Sequence, residues 1–336
     1  MMIDTFAMQN LLKVDADSSR IAIGMDIGGT KLEAAIVTLS GDVIESVKVP
    51  TASNGPAVLA QAIAVATNLK SIVNSRGMVA AACGVGTAGV VDKNAIVSAN
   101  SLIPGWAGQP LQAELESRLG IPTHVINDVY AVAIRECLIG VGRNQPSTFV
   151  TAVGTGVGSA LVLNGKLWEG EHGLAGSLGH IPSMVREGRA CACGAIDHVE
   201  SYAGGRAIEK EFAKRCGRKV KMPEIAAMAR SGDTIANQLL DTAGLVLGQA
   251  LASVAALIDP KCVVLDGGMM ALGDLLLNPV RELMKREAMI SGLAIPLSVT
   301  PTGTHAGVVG AALHALSQEN THNAPYEPSL HDCKTT

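Results

Sequence analysis

The sequence predicts an α/β fold with two lobes, and three observations lead to that class. Strand-like apolar runs alternate with helical stretches along the chain, which is the pattern of α/β proteins. A segment made of a strand, a glycine turn and a second strand occurs twice, once in each half of the chain. The chain has 336 residues, a length that suits two lobes and a substantial core.

Both glycine turns have the composition of a phosphate-binding loop. The first contains Asp26, Gly28, Gly29, Thr30 and Lys31, and the second contains Gly154, Thr155, Gly156 and Gly158. Glycine permits a positive φ and has no side chain, so backbone N–H groups can converge on an anion. Either turn alone is equally well explained as an ordinary tight hairpin. Because two occur in one chain, and Asp26 accompanies the first, we predict a duplicated scaffold that binds a polyphosphate.

The residues around the two turns exclude the commoner nucleotide motifs. A P-loop ends in Gly-Lys-Ser/Thr and opens a helix, and a dinucleotide fingerprint is also followed by a helix. Here β-prone apolar residues follow both turns, over 32–37 and 160–163. The turns therefore indicate a nucleotide-using enzyme of another type.

Composition argues against nucleic-acid and membrane partners. The net charge is −4 and the pI is about 6.1, so no electrostatic attraction to nucleic acid is expected. No apolar run reaches the roughly 18 residues that a membrane span needs. The most apolar helical stretch, 239–258, is interrupted by polar residues and is interpreted as a core or interface helix.

Both ends of the chain are predicted to be tails. Residues 1–20 lack the basic and apolar regions of a signal peptide, and 317–336 are polar and contain proline. The chain has seven cysteines, an odd number that does not indicate a disulfide framework. A cytoplasmic location is therefore predicted.

Between the tails, the predicted elements divide into two lobes. They are strands over 43–49, 79–86, 123–126 and 262–265 and helices over 57–75 and 110–119, with a further helix ending near Arg286. The second glycine hairpin restarts the pattern, so a small lobe is expected over 21–126 and a larger one over 127–305. Small residues at helical spacing predict a closely packed helix near 306–316, which would complete the small lobe.

Asp128 is the strongest candidate for a catalytic base. It follows the strand 123–126 and Asn127, and it precedes an apolar helix over 129–139. In α/β folds the carboxyl ends of strands carry the functional sites. Taken alone, Asp128 is better explained as the N-cap of that helix. With a nucleotide site in the chain, its carboxylate becomes a candidate to accept a proton from an attacking hydroxyl.

A dense group of cysteines and histidines lies in the second half of the chain. His180, Cys191, Cys193 and His198 have the chemistry of tetrahedral zinc ligands. Their spacing matches no common zinc finger, so buried free thiols with surface histidines are an equally good explanation. Glu200, which follows them, has the position of a solvated acid in a first helical turn.

Taken in order along the chain, these motifs resemble those of the ROK family of sugar kinases, over residues 21–316. The resemblance implies a two-lobed actin-like ATPase fold of the ribonuclease H-like, hexokinase type. It also implies that ATP binds with Mg²⁺ and that Asp26 lies near the magnesium. The family's Asn-Asp pair matches Asn127 and Asp128, which implies a sugar ligand and the catalytic base. The implied ATP ligands are Asp26, Gly28, Gly29, Thr30, Lys31, Gly154, Thr155, Gly156, Gly267 and Gly268.

The chain departs from the family pattern around its cysteines. The signature Cys-x-Cys-Gly-x-x-Gly-Cys-x-Glu is matched over 191–200, except that Asp197 replaces the second glycine and His198 the third cysteine. With a family histidine at His180, the resemblance implies a structural zinc site of Cys₂His₂ type in the segment 180–200. Ser177 stands where the family usually has a sugar-binding glutamate. The implied sugar-site residues are Gly89, Asn100, Asn127, Asp128, Ser177, His180 and Glu200.

The resemblance predicts an ATP-dependent kinase that phosphorylates the 6-hydroxyl of a sugar. Ser177, and the turn Thr87-Ala88-Gly89 in place of the family's Pro-Gly, make N-acetylmannosamine the first choice of substrate. Glucose follows closely, and N-acetylglucosamine, fructose and allose stay open. A sugar-responsive repressor of this family would need a DNA-binding domain, for which residues 1–20 are too short. A non-catalytic sugar-binding protein is the other alternative, and a homodimer is expected from the resemblance.

Overall fold

The computed structural model describes residues 20–92, 95–98, 103–287, 295–301, 303 and 305–321. Of the predicted tail 1–20, only Arg20 belongs to this part of the chain. The predicted sugar ligand Asn100 lies outside the described residues.

The described residues form strands at nearly all of the places that the sequence predicts. These strands are β1 (Ile21–Ile27), β2 (Lys31–Thr38), β3 (Val43–Pro50), β4 (Ala80–Thr87), β5 (Val90–Asp92), β6 (Ala95–Ser98), β7 (Thr123–Asn127), β8 (Ser147–Val153), β9 (Val157–Leu163), β10 (Lys166–Trp168), β11 (Cys262–Asp266) and β12 (Leu297–Val299). The short strands β5, β6, β10 and β12 were not predicted.

Helices occupy much of the remainder. They are α1 (Gly55–Ser75), α2 (Leu111–Leu119), α3 (Asp128–Leu138), α4 (Glu200–Ala203), α5 (Gly205–Cys216), α6 (Met222–Arg230), α7 (Thr234–Ile258), α8 (Asp274–Glu287) and α9 (Ala306–Thr321). Single 3₁₀ turns cover Leu178–His180 and Gly268–Leu272. Because α9 continues to Thr321, the predicted tail 317–336 begins inside this helix.

Two sheets of the described chain have the same internal order. The first runs β3-β2-β1-β4-β7 and the second runs β10-β9-β8-β11-β12. In both sheets the first three strands are antiparallel and the last three are parallel. A glycine hairpin, β1–β2 or β8–β9, occupies the same position in each sheet. The repeat in the sequence is therefore a repeat of the fold.

The parallel strands of the first sheet bring three predicted site segments to one edge. Ile27 at the end of β1 is in register with Thr87 at the end of β4, and Thr87 is in register with Asn127 at the end of β7. The residues that follow these ends include the first glycine turn, Gly89 and Asp128. Their meeting follows from the strand order and not from their spacing in the sequence.

Helix α9 packs against β1, β4 and α3, although it follows the second sheet in sequence. Glycines allow this close approach. A Cβ added at Gly24 would lie 2.2 Å from the Val308 carbonyl oxygen, and one at Gly84 would lie 1.8 Å from the Ala311 carbonyl oxygen. The predicted small-residue helix is therefore a packing element of the first sheet.

Helices α1 and α7 are long and apolar enough to cross a membrane by length and composition alone. Each buries one face in a core cluster: α1 contributes Val58 and Leu69 to the cluster under the first sheet, and α7 contributes Leu239 and Leu247 to that under the second. Core helices of globular proteins have the same composition, so we interpret both as core helices.

Candidate active site

A cleft of about 860 Å³ is lined by residues that follow strands of both sheets. It brings together the predicted nucleotide and sugar ligands of the described chain. The predicted residues that line it are Asp26, Gly28, Gly29, Thr30, Lys31, Gly89, Asn127, Asp128, Gly154, Thr155, Gly156, Ser177, His180, Cys193, Glu200, Gly267 and Gly268. The cleft is therefore the candidate active site.

The two glycine turns approach each other in this cleft. The hydroxyl oxygens of Thr30 and Thr155, one from each turn, are 3.5 Å apart. In the first turn, the Gly28 N–H donates to the Lys31 carbonyl at 3.0 Å, and the second turn is also closed by an internal hydrogen bond. The two loops, both with the composition of phosphate-binding loops, are thus close enough to contact one polyphosphate together.

A buried carboxylate holds two basic side chains beside the first turn. Glu33, on β2, is 7% exposed and accepts hydrogen bonds from Lys31 Nζ at 3.0 Å and from His305 Nδ1. Burial raises the pKa of Glu33, but these bonds outweigh it and leave the pKa below its ordinary value. Lys48, on β3, lies opposite Glu33 and also lines the cleft. Glu33, Lys48 and His305 were not predicted, since they depend on contacts between distant segments.

The second turn is held by the segment that follows the cysteines. Glu200 Oε2 accepts a hydrogen bond from the Val157 N–H at 3.0 Å. The N–H groups of Gly205 and Arg206 donate to two carbonyls of the turn at 2.9 and 3.1 Å. Glu200 is predicted as a sugar ligand, and its carboxylate also contacts the predicted phosphate loop.

Asp128 is the first residue of α3 and lines the cleft. Asn127 caps this helix, because its side chain accepts from the N–H groups of Val129 and Tyr130 at 3.0 and 3.3 Å. The N-cap explanation considered for Asp128 is therefore wrong, although its Oδ1 accepts from the Val129 N–H at 2.9 Å. Enclosure in the cleft raises the pKa of Asp128, the backbone hydrogen bonds oppose this, and the charge of Glu200 raises it further.

Asp26, at the end of β1, is a second carboxylate in the cleft. Burial, and then the charge of Asp128, raise the pKa of Asp26 to about 7. The start of α9 approaches it closely, since a Cβ added at Gly307 would lie 3.1 Å from Asp26 Oδ2. A carboxylate whose ionisation is disfavoured by burial and by a second carboxylate suits a hard divalent cation, which prefers oxygen ligands.

The loop after β4 is fixed by hydrogen bonds from two directions. Asn127 Nδ2 donates to the Gly89 carbonyl at 2.9 Å, and Gly89 has a φ of 113°, which favours glycine. The hydroxyl of buried Thr87 accepts from Trp106 Nε1 at 2.8 Å. A threonine at this position therefore has a structural explanation that does not depend on the substrate.

The four predicted zinc ligands converge. One ligand atom from each of His180, Cys191, Cys193 and His198 lies within 4.8 Å of the others. His180 Nδ1 is 3.5 Å from Cys191 Sγ, and His198 Nδ1 is 3.3 Å from Cys193 Sγ. A tetrahedral zinc site would place nitrogen and sulfur ligands about 3.6 Å apart, from bond lengths of about 2.1 and 2.3 Å. The residues present therefore fit this metal.

Asp197, which stands where the family signature has glycine, has a backbone conformation that favours glycine. Its φ is 56°, in the left-handed region that aspartate tolerates better than most residues. Its carboxylate accepts from the Arg189 N–H at 2.8 Å and from the Tyr202 hydroxyl at 2.6 Å. The bond from Tyr202 is the main cause of the lowered pKa of Asp197. This substitution therefore adds a link within the loop that carries the cluster.

The remaining predicted ligands lie on loops of the cleft. Ser177 is exposed, and its hydroxyl donates to a loop carbonyl at 2.7 Å. Gly267 has a φ of 102°, and a Cβ there would lie 2.4 Å from the Val153 carbonyl oxygen. At Gly268 an added Cβ would meet nothing within 4 Å. The turn 267–268 is therefore tightly seated on the second sheet and open toward the cleft.

Known proteins resemble this chain over most of its length. The model of the ROK family matches residues 22–318. The chain belongs to the ROK family. A glucokinase of Streptomyces coelicolor is 32% identical over 312 residues, which cover 87% of this chain and 96% of that protein. An N-acetylmannosamine kinase of Salmonella heidelberg is 32% identical over 304 residues, which cover 89% of this chain and 99% of that protein.

Solved structures of the ROK family confirm the predicted fold. The structure of a ROK family glucokinase from Streptomyces griseus, in complex with glucose and AMPPNP, matches with a TM-score of 0.78 and 30% identity. The match covers 88% of this chain and 99% of that one. The actin-like α/β fold and the ROK resemblance are thereby confirmed. Relatives named for two different sugars are equally similar to this chain, so similarity leaves its substrate open.

Proposed function

We propose that this protein is an ATP-dependent kinase that transfers the γ-phosphate of ATP to the 6-hydroxyl of a hexose or N-acylhexosamine. The observation that carries the proposal is the approach of the two glycine turns, at Thr30 and Thr155, in one cleft with Asp26 and Asp128. Membership of a family whose relatives are named glucokinase and N-acetylmannosamine kinase supports this reaction class.

The donor would bind between the two turns. Backbone N–H groups of both turns and the Lys31 ammonium suit the β- and γ-phosphates, and the open turn 267–268 suits the adenosine. Asp26 would hold the Mg²⁺ that accompanies ATP, which is consistent with its raised pKa beside a second carboxylate. Such an ion neutralises charge on the phosphates during transfer.

Asp128 would act as the general base toward the acceptor. The 6-hydroxyl oxygen forms a bond to the γ-phosphorus while the bond from that phosphorus to the bridging oxygen breaks, and ADP leaves. The hydroxyl proton passes to the Asp128 carboxylate, whose raised pKa makes it a better base than an exposed aspartate. Because ATP can also react with water, the chemistry further requires that the cleft exclude water around these groups.

The sugar ring would be held by side chains that line the same cleft. His180 offers Nδ1 to the cysteine–histidine cluster, which leaves its Nε2 for a sugar hydroxyl. His180, Cys191, Cys193 and His198 would hold a structural Zn²⁺, which fixes the orientation of the His180 ring. Asn127, Ser177 and Glu200 would complete the site, and Asn100, which lies outside the described residues, is proposed as a further sugar ligand.

N-acetylmannosamine is the first choice of acceptor. Ser177 offers a small neutral hydroxyl where a glutamate is usual in the family, which leaves space for a substituent on the ring. Glucose is the second choice, since the glucokinase relatives are as similar as the N-acetylmannosamine kinases. The Thr87 argument for N-acetylmannosamine is weakened, because that residue is buried against Trp106.

A coupled assay of ADP release, over a panel of hexoses and N-acetylhexosamines, tests this function. We expect turnover with N-acetylmannosamine or glucose, and a product that carries its phosphate on carbon 6 by ³¹P-coupled NMR. ATP hydrolysis that is independent of sugar, or no ADP release with any acceptor, would contradict the proposal. Sugar binding without turnover would favour the non-catalytic sugar-binding alternative.

A further inference from the structure

Glu200 connects the acceptor side of the cleft with the second glycine turn. Its Oε2 atom accepts from the N–H of Val157, the first residue of β9, at 3.0 Å. The same side chain lines the cleft, where the sugar is proposed to bind. One carboxylate with two oxygens can therefore contact the backbone of the turn and a sugar hydroxyl at the same time.

The contact is possible because residue 156 has no side chain. A Cβ added at Gly156 would lie 2.3 Å from Glu200 Oε2, closer than any two such atoms can approach. At Gly154, in the same turn, an added Cβ would meet nothing within 4 Å. The far end of the Glu200 side chain is flexible, so an alanine at 156 would displace the carboxylate and leave the fold intact.

Backbone hydrogen bonds connect the same two segments. The N–H groups of Gly205 and Arg206 donate to the carbonyls of Gly154 and Thr155 at 2.9 and 3.1 Å. The segment 200–206 thus contacts the turn through one side chain and two backbone groups. Glu200 and the turn are therefore in direct contact, with no other element in between.

We propose that Glu200 couples the binding of the two substrates. A sugar hydroxyl on its carboxylate holds the second turn in the conformation that receives phosphates, and the nucleotide raises the affinity for sugar in return. By thermodynamic linkage the two effects are equal in size, and such couplings are typically about 5- to 150-fold. The inference rests on the proposed function, which supplies the sugar contact of Glu200.

Alanine substitutions at two positions of one turn separate this coupling from general damage to the turn. Calorimetry measures the Kd of N-acetylmannosamine and of glucose, with and without AMP-PNP and Mg²⁺. In the wild type, we expect the nucleotide to tighten sugar binding by about fivefold or more. Gly156→Ala should weaken sugar binding by about fivefold without nucleotide and remove most of the coupling. Gly154→Ala, the matched control, should keep the sugar Kd measured without nucleotide within about twofold, the scale of a minor perturbation.

Two substitutions of Glu200 test the same contact from the nucleotide side and do not depend on the folding of the Gly156 variant. Without sugar, Glu200→Ala should weaken AMP-PNP binding by about fivefold, because the turn loses its support. Glu200→Gln should restore most of that affinity, because its amide oxygen can still accept from the Val157 N–H. Tighter AMP-PNP binding by Glu200→Ala would contradict the proposal, since it would mean that the carboxylate competes with phosphate for this N–H.

The outcomes distinguish failure of this inference from failure of the proposed function. If the wild type phosphorylates a sugar and Gly156→Ala has the sugar Kd and coupling of the wild type, the inference is overturned and the kinase stands. If the wild type binds neither sugar nor AMP-PNP, the proposed function fails and the inference falls with it.

Discussion

The two glycine turns have the same local structure but different supports. Thr51, at the end of the same sheet, supports the first turn by donating through its hydroxyl to the Gly28 carbonyl at 2.6 Å and through its N–H to the Thr30 carbonyl at 3.2 Å. The second turn is supported from outside its sheet, by Glu200 and the backbone of the segment 200–206. One turn is thus stabilised within its own sheet, and the other by a segment that begins with a proposed sugar ligand, Glu200.

This difference suggests that the two turns of the duplicated scaffold have different functions. Both turns can bind phosphate, because that property needs only glycines and N–H groups. The second turn is joined to the proposed acceptor site by a side chain, Glu200, whereas the loop after β4 meets the start of the first turn through a backbone hydrogen bond, from the Ala88 N–H to the Ile27 carbonyl at 3.3 Å. Substitutions near the first turn should therefore affect mainly the nucleotide, whereas those near the second should affect nucleotide and sugar together.

The largest expected effect belongs to neither turn. Asp128→Asn should lower kcat about a thousandfold, within the range for a lost general base, with little change in the nucleotide Kd. Steady-state kinetics and calorimetry on one preparation measure both. Asp274→Asn is the matched control, since Asp274 is also the first residue of a helix and its side chain is 81% exposed. Near-normal turnover by Asp128→Asn would refute the assignment of the base.

The second-largest effect is expected from loss of the cysteine–histidine cluster, which should weaken sugar binding. Cys193→Ser should lower the zinc content of the purified protein and raise the KM for sugar by about tenfold or more, because His180 loses its fixed orientation. Elemental analysis by mass spectrometry gives the metal content. Cys216→Ser, on α5 and outside the cluster, should keep both values. Wild-type protein free of zinc would contradict the proposed metal site.

Glu33→Gln should affect the nucleotide alone. When Glu33 loses its negative charge, Lys31 loses a charge-assisted hydrogen bond beside the first turn. The KM for ATP should therefore rise by about fivefold. The Kd for sugar should not change, because Glu33 has no contact with the segment 200–206. Glu45→Gln, on β3 of the same sheet, is the control, since it breaks an exposed pair with Arg76, the residue that follows α1. If Glu33→Gln lost sugar affinity and nucleotide affinity to the same extent, the proposed difference between the two turns would be wrong.

The smallest expected effect is a shift in pH dependence. Asp128 must be ionised to accept a proton, and burial raises its pKa, so kcat/KM should fall as the pH drops through that raised value. The charge of Glu200 contributes to the shift, so Glu200→Gln should move the acid limb of the profile to lower pH. The stability of the fold depends on pH in the opposite direction to kcat/KM. The folded protein binds the Asp128 proton more tightly than the unfolded chain does, so ionisation of Asp128 lowers the stability of the fold. This loss develops as the pH rises from the ordinary pKa of an aspartate to the raised pKa of Asp128. The Tm of Asp128→Asn, compared with that of the wild type, should therefore increase over this pH interval. An acid limb that Glu200→Gln leaves in place would show that Glu200 does not influence the base.

Sequence alone predicted the parts of this molecule that depend on local chemistry. Both hairpins follow from glycines between β-prone runs, and Asp128 follows from its place between a strand and a helix. The four metal-ligand candidates were named from their residue types, but only the fold shows that their atoms converge.

The supports of the two turns could not be predicted, because they join residues far apart in the chain. Glu33 meets His305 only because α9 returns to the first sheet. Glu200 meets Val157, 43 positions earlier in the chain, only because the fold brings the start of α4 to the second hairpin. Thr87 was interpreted through the substrate, whereas its buried contact with Trp106 gives it a structural role.

Hydrogen exchange of the wild-type protein, measured by mass spectrometry with saturating sugar and no nucleotide, tests the central claim most directly. If Glu200 couples the acceptor to the second turn, sugar should slow exchange in peptides that cover 153–158 and leave those that cover 27–31 unchanged. Protection of both turns to the same extent, or of neither, would contradict the coupling.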